Sequence, residues 1–280
     1  MYYQSWLTLD LGDDPARPRP TRQVLRNQYL LHQRVYAAFG QQPLENADRG
    51  IKKPRGENDN WLLFRVLLTP PHVRVLVRSA KEPDWAKAFR VTADRKDWVS
   101  LTRPPIVERV QPQYDQGQVL RFSLRANPTV KKQLPKPDGS PHKNGLRVAL
   151  TCPAHALHFL EERGEKVTEE ERLRVKTGGT RSHDDIVGRA CLRWLVDKGK
   201  AGGFVLLNSE HCAVIPEGLR LWKKPDECKR PDRRVDLTFA AVLFEGTLKV
   251  TDPDAFANAL ARGIGPAKAF GFGLLSVARV

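Results

Sequence analysis

Cysteine, methionine and long apolar runs are all scarce in this chain. Its 280 residues hold four cysteines and one methionine. Cys152, Cys191, Cys212 and Cys228 are widely spaced and make no C-x-x-C pair, which speaks against a disulfide framework and a paired-cysteine redox motif. One half-motif stands out, because Cys152, His155 and His158 lie three apart and would share a face of a helical turn. A metal site needs a further ligand or an open position and a second shell, and no paired Cys/His motif elsewhere supplies them, so no metal or cofactor is expected. No apolar run approaches the roughly eighteen residues of a membrane-spanning helix. The opening MYYQSWLTLDLGDD has neither the basic region nor the long apolar core of a signal peptide. The expectation is a cytoplasmic protein with free thiols and no membrane association. Acidic residues are also short, 32 against 47 basic ones, for a formal charge of +15. That excess predicts a polyanionic partner, and nucleic acid leads over an acidic membrane surface.

Glycine, by contrast, is concentrated where the chain ends. Gly263 to Val280 reads GIGPAKAFGFGLLSVARV, with Gly263, Gly265, Gly271 and Gly273 around the single Lys268. Glycines admit close backbone approach, so a phosphate cradle is one reading. The stretch is not a P-loop, because no Gly-Lys-Ser/Thr follows, nor a dinucleotide fingerprint, because it follows a helix rather than a strand. The other reading is a helix cap and a turn into a final strand.

In chain order, residues 2–11 alternate into a strand. A helix is predicted from Gln28 to Phe39, with Asn27 as N-cap and Gly40 just past its end. Leu31, Val35, Ala38 and Phe39 make its apolar face; His32 sits at the edge of that face, with Tyr29 and Tyr36 at i−3 and i+4. Either the histidine is half packed between two tyrosines, or the three side chains share a working space. Strands follow at 61–68 and 73–77, then a short helix starting at Glu82-Pro83-Asp84-Trp85. A strand at 118–126, with Arg121, Ser123 and Arg125 on one side, completes the first half.

Residues 127–145 carry prolines, glycines and lysines and read as a linker. Beyond it come a strand at 146–150, a charged insertion at 168–185 expected to be mobile, a helix over Ile186–Asp197 and a strand at 204–207. Arg220, Lys223, Lys224, Lys229, Arg230, Arg233 and Arg234 then face only three acidic residues within Leu219–Arg234, a net +4. Strand-like runs at 213–215 and 235–243 flank this segment. It reads either as a solvated charged face or as a basic finger that enters a nucleic-acid groove, and the charge of the whole chain favours the finger. A helix opened by Asp252 and Pro253 and closed by Gly263 leads into the last strand. Each half thus reads β, α, β, β, α, β. The fold class is α+β, two tandem ferredoxin-like (RRM-like) domains, 1–126 and 146–280, joined by the linker 127–145. That sheet is a common RNA-binding surface.

Four blocks carry a family resemblance: Tyr29-x-x-His32, Leu124-Arg125-Ala126-Asn127-Pro128, Val242-Leu243-Phe244-Glu245-Gly246 and the terminal GIGPAKAFGFGLLSVA. Their combination, in order along nearly the whole chain, resembles CasE, the type I-E CRISPR repeat-processing endoribonucleases of the RAMP superfamily. The resemblance implies two ferredoxin-like domains and metal-independent cleavage of a CRISPR repeat RNA at the base of its stem-loop. It implies a mature crRNA that stays bound, and assembly with the other subunits of the Cascade complex by a chain that is monomeric alone. His32 matches the catalytic histidine and Tyr29 the tyrosine that assists it. The basic segment at 220–234 matches a hairpin set against the RNA stem, and the glycine-rich loop, with Gly265, Lys268 and Gly271, a contact to RNA backbone. Arg125 and Asn127, in a matching block, are carried over as RNA-binding residues.

The chain departs from the family in two places. Many relatives carry a basic residue directly after the histidine, where this chain has Gln33 and moves the arginine to Arg34. Residues 153–185 are longer and more charged than in the family. A different class remains open beside the nuclease, an RNA-hairpin-binding subunit that does not cut, and behind it a DNA-binding protein.

Overall fold

The structure is a computed structural model that describes residues 1–9, 28–40, 61–69, 72–89, 101–132, 146–177, 183–225 and 234–280. It describes the side chains of all of these except 28–30, 69, 146, 183–184, 221–225 and 234–236. Asn27, Cys228, Lys229, Arg230 and Arg233, named above, lie outside the described residues.

The first sheet joins β1 (Tyr2–Leu9), β2 (Leu62–Thr69), β3 (His72–Ser79) and β4 (Ile106–Val110) in the order β2-β3-β1-β4, all antiparallel. Helix α1 (Gln28–Ala37) and the short α2 (Trp85–Ala88) cover one face. Leu7 and Leu9 of β1, Phe64 and Val66 of β2 and Val73, Val75 and Val77 of β3 alternate toward those helices and meet Leu31, Val35 and Ala38. This is the ferredoxin-like order. Its fourth strand is β4, not residues 118–126. β4 is an edge strand exposed along most of its length, so no apolar alternation marks it in the sequence.

Residues 119–126 instead open the second sheet. There β5 (Val119–Ala126) pairs with β10 (Arg234–Val250) and β11 (Leu275–Arg279), and β8 (Phe204–Leu207) flanks β10, giving the order β11-β5-β10-β8. Leu120, Phe122, Leu124 and Ala126 need a cover, which α5 (His183–Ala201) and α6 (Pro253–Arg262) provide through Ile186, Val187, Ala190, Cys191, Trp194, Leu195, Phe256 and Leu260. Strand pairing therefore sets the boundary between β4 and β5 rather than at 127. The expected linker begins with β6 (Thr129–Lys132), which pairs with β7 (Leu146–Ala149) in a two-stranded ribbon.

Helix α3 (Pro153–Glu162) follows, with Cys152 as its N-cap residue. His158 Nδ1 faces Glu162 Oε1 at 3.3 Å, and among the described residues no group of three or more His, Cys, Asp or Glu side chains is placed to hold a metal ion. Within the stretch 168–185, expected as a mobile insertion, residues 178–182 lie outside the described residues, 183–185 open α5, and 169–177 form α4 (Glu169–Thr177). Its start is a reciprocal cap: Thr168 N donates to Glu171 Oε2 at 2.7 Å, and Glu171 N donates to Thr168 Oγ1 at 3.1 Å. Ion pairs from Arg172 to Glu161 and from Arg189 to Glu171 lash α4 to α3 and α5. Helicity here comes from the cap and from pairs at i, i+3 and i, i+4 rather than from a buried stripe.

Between the domains the uncovered sheet faces meet. Leu63, Leu76 and Leu274 form a small apolar cluster there. Arg65 donates to the Ser123 carbonyl at 3.2 Å and its hydroxyl at 3.0 Å.

Candidate active site

Helix α1 presents His32 and the terminal loop receives it. Neutral imidazole has one N–H, and a carbonyl oxygen can only accept. His32 Nδ1 lies 2.7 Å from the Ala269 carbonyl oxygen, so the proton sits on Nδ1 and the lone pair on Nε2. His32 is 8% exposed, more deeply packed than the reading that has it half packed between two tyrosines. Phe270 stacks on it at 5.2 Å between centroids and 25° between planes, and Tyr36 packs at 4.2 Å and 49°. Burial raises the Tyr36 pKa above the ordinary tyrosine value, which keeps that phenol protonated. Tyr29 stands on the same helix, and its side chain lies outside the described residues.

The loop that meets His32 is shaped by its glycines. Residues Lys268–Phe270 form one 3₁₀ turn, entered through Ala267 and left through Gly271, both left-handed. Gly265 has a φ of +81°, and a Cβ there would sit 2.9 Å from the Trp194 ring. Gly273 has a φ of +83°, and a Cβ there would sit 2.6 Å from the Ile264 carbonyl. Only glycine suits either place. The helix-cap and turn reading of this stretch is thus present in the structure, and the turn carries the histidine's acceptor. Lys268 is half-buried; burial first, then the Arg262 and Lys198 charges, lower its pKa below the ordinary lysine value. Lys198 Nζ lies 5.9 Å from the centre of the Trp194 ring on which the loop rests.

The basic segment extends along two long strands. β9 (Ala213–Pro225) pairs with β10 out to Pro225 opposite Arg234, so Arg220, Lys223, Lys224 and Arg234 belong to the hairpin's arms rather than to a loop. Arg220 is exposed. Between Ala241 and Val242 the register slips, leaving Glu217 without a cross-strand partner. That bulge aims Glu217 at Arg125, which it grips through two hydrogen bonds of 2.6 Å. The guanidinium of Arg125 also reaches the Val66 carbonyl at 3.5 Å. Asn127 is buried, and its Oδ1 accepts from Ala240 N at 3.1 Å. Both residues, carried over as RNA-binding, are engaged inside the fold: one links the domains, the other closes the end of β5. The carbonyl of Ala269 and the ring of Phe270 were not among the predicted site residues, and Tyr36 was named only as a neighbour of His32. Tyr36 had a helical-spacing signal; a backbone carbonyl has none.

Fold and site together define a class: tandem ferredoxin-like proteins whose junction holds a buried histidine of the first domain against a glycine-rich loop of the second. The family model described as CRISPR associated protein matches residues 3–279. The chain is 32% identical over 273 residues to the CRISPR-associated endoribonuclease Cse3 of Thermus thermophilus, covering 98% of this chain and 99% of that one. Among solved structures it is similar to the CRISPR endoribonuclease Cse3 bound to a 19 nt RNA, with 27% identity, a TM-score of 0.57 and 99% of each chain covered. It is also similar to Thermus thermophilus Cse3 bound to an RNA representing a pre-cleavage complex, with 28% identity, a TM-score of 0.55 and 99% and 98% of the two chains covered. This chain belongs to the CRISPR-associated protein family.

Proposed function

We propose that this chain is an endoribonuclease that binds a CRISPR repeat stem-loop and cleaves precursor CRISPR RNA at the base of the stem. One observation carries the assignment of His32 as the proton-transfer group: the bond from its Nδ1 to the Ala269 carbonyl leaves Nε2 as the basic nitrogen. RNA brings its own nucleophile, the 2′-OH beside the scissile phosphate. Nε2 takes the 2′-OH proton as the 2′-oxygen bonds to phosphorus, the bond to the 5′-oxygen breaks, and water protonates the leaving oxygen, the hydroxide left behind taking the proton back from Nε2. The products are a 5′-OH and a 2′,3′-cyclic phosphate, which water opens to a 3′-phosphate. No step of this scheme requires a metal. Proton transfer of this kind contributes roughly 10²- to 10⁴-fold. Tyr29, one helical turn before His32, assists it.

RNA is held by the basic arms of the β9–β10 hairpin and by the loop with Lys268, in keeping with the formal charge of +15. The crRNA stays bound after cleavage and the protein joins the other Cascade subunits, as in the family it resembles. The test is cleavage of a repeat hairpin RNA in EDTA by wild type and His32→Ala, with binding measured alongside. Wild type is expected to cut, the variant to bind without cutting, and an RNA with a 2′-deoxy sugar at the cut site to bind and stay intact. Cleavage of the deoxy RNA sinks the mechanism; binding without scission by wild type leaves a non-cleaving RNA-hairpin subunit instead.

A further inference from the structure

His32 is held by groups to which the scheme above gives no role. Phe270, stacked on the imidazole, packs in turn on Phe239 at 5.0 Å and 35°. Phe239 also packs on Phe272 at 5.7 Å and 40°. Phe239 stands on β10 opposite Arg220 of β9, midway along the hairpin that carries the basic segment. With Leu237, Ala241 and Ala267, these three phenylalanines form a cluster of their own, apart from the core of either domain. A continuous run of packed rings therefore leads from the hairpin to the histidine.

Two features suit this run to positioning. Packed aromatic pairs prefer particular offsets and tilts, so each ring constrains the orientation of the next. The turn that carries Phe270 also carries Ala269, so any displacement of Phe270 moves the acceptor that decides the tautomer. Ala267, directly before that turn, has a φ of +62°, a conformation disfavoured for a residue with a Cβ. Packing, rather than local backbone preference, holds the turn in place.

We propose that Phe270 and Phe239 are positioning residues for RNA cleavage. Through their stack they hold His32 with Nδ1 on the Ala269 carbonyl, and they tie the histidine to the seating of the basic hairpin. The proposal rests on the reading of His32 as the proton-transfer group. Neither ring touches the reacting atoms in this role.

The test uses the full chain and the variants Phe270→Leu, Phe239→Leu and Phe270→Tyr. Single-turnover cleavage of the repeat hairpin is measured beside RNA affinity. The leucine variants are expected to cleave about 10- to 100-fold more slowly, the loss that a misplacement of about an ångström produces. Their affinity should stay within about threefold, the mark of a role in the chemical step rather than in binding. Phe270→Tyr keeps the ring and should restore the rate. A second readout needs no RNA: nitrogen NMR of the His32 ring should show the Nδ1–H tautomer in wild type and Phe270→Tyr, and a mixture in the leucine variants. Methionine variants replace any leucine variant that fails to fold.

Leucine variants with wild-type rate and an unchanged tautomer overturn the proposal. So does a fall in rate explained wholly by lost affinity, because the rings would then serve binding. If wild type itself does not cleave, the catalytic reading fails, while the tautomer measurement still decides whether these rings position His32.

Discussion

Arg78 of β3 donates from Nη1 to the carbonyl oxygen of Leu275 on β11 across 2.7 Å, joining the first sheet to the second. The same group reaches the Leu260 carbonyl at 3.4 Å, and its Nε donates to Gln4 Oε1 at 3.1 Å. Arg78 is 5% exposed. Burial lowers its pKa below the usual arginine value. Its three acceptors are neutral, and they replace the water that the guanidinium lost. Arg78→Met is expected to cost about 2 kcal/mol, because buried carbonyls lose a charged donor. Urea unfolding measures this, and Arg78→Lys should recover only part of it, since an ammonium cannot copy the fork.

Glu217 and Arg125 pair within the second sheet, made possible by the bulge in β9, and the Arg125 guanidinium also reaches the Val66 carbonyl of the first sheet. Both side chains are largely buried, with bidentate geometry, so the pair should couple by about 1–2 kcal/mol in a double-mutant cycle of Arg125→Gln and Glu217→Gln. Additive effects on thermal unfolding would remove this pair from the structural account. A large loss of RNA affinity in Arg125→Gln alone would return Arg125 to the RNA-binding set.

Gly265→Ala places a methyl 2.9 Å from two Trp194 ring carbons at a φ of +81°. A left-handed alanine costs about 1–2 kcal/mol before any clash is counted. Because this loop supplies the Ala269 carbonyl, the variant should lose both stability and cleavage rate. Unfolding and single-turnover assays on one preparation measure both.

Lys268 makes stability depend on alkaline pH. Its folded pKa lies below the ordinary lysine value of 10.5, through burial and then the Arg262 and Lys198 charges. Between those two values the unfolded chain binds more protons than the folded one, so stability rises with pH across that window. The penalty is fully present below the folded pKa. Lys268→Met should flatten this part of the stability–pH curve, as read from urea midpoints over the alkaline range. Bound RNA, being anionic, should raise the lysine pKa and shift the window upward.

Arg220, exposed on β9, tests the hairpin as an RNA contact. If it meets one phosphate, Arg220→Ala should reduce the slope of log affinity against log salt by about 1. An unchanged slope would remove it from the interface.

Two local signals were legible in the residues themselves. Periodicity marked helix α1, because apolar side chains recur wherever one face is covered. Asp252 and Pro253 marked the start of α6, where the Asp252 carboxylate accepts from two backbone N–H groups at 3.0 Å. The same logic failed for β4, which buries no face, and for α4, whose helix rests on a capping box and ion pairs. It also failed at the domain boundary. The alternation of Leu120, Phe122 and Leu124 shows that a strand exists but does not say which sheet it joins.

The amino-acid order by itself determined the α+β class, the tandem repeat of βαββαβ, the basic hairpin, a histidine on a helix and a glycine-rich C-terminal stretch. These follow from local periodicity, charge and backbone permissiveness. Tertiary structure alone decided that the loop turns a carbonyl to His32, that Glu217 withdraws Arg125 into the junction, and that Asn127 closes a strand end. Each of these joins residues far apart along the chain, 237 positions in the case of His32 and Ala269. A backbone oxygen has no residue-type signature, and a side chain's partner is known only once the sheets have met.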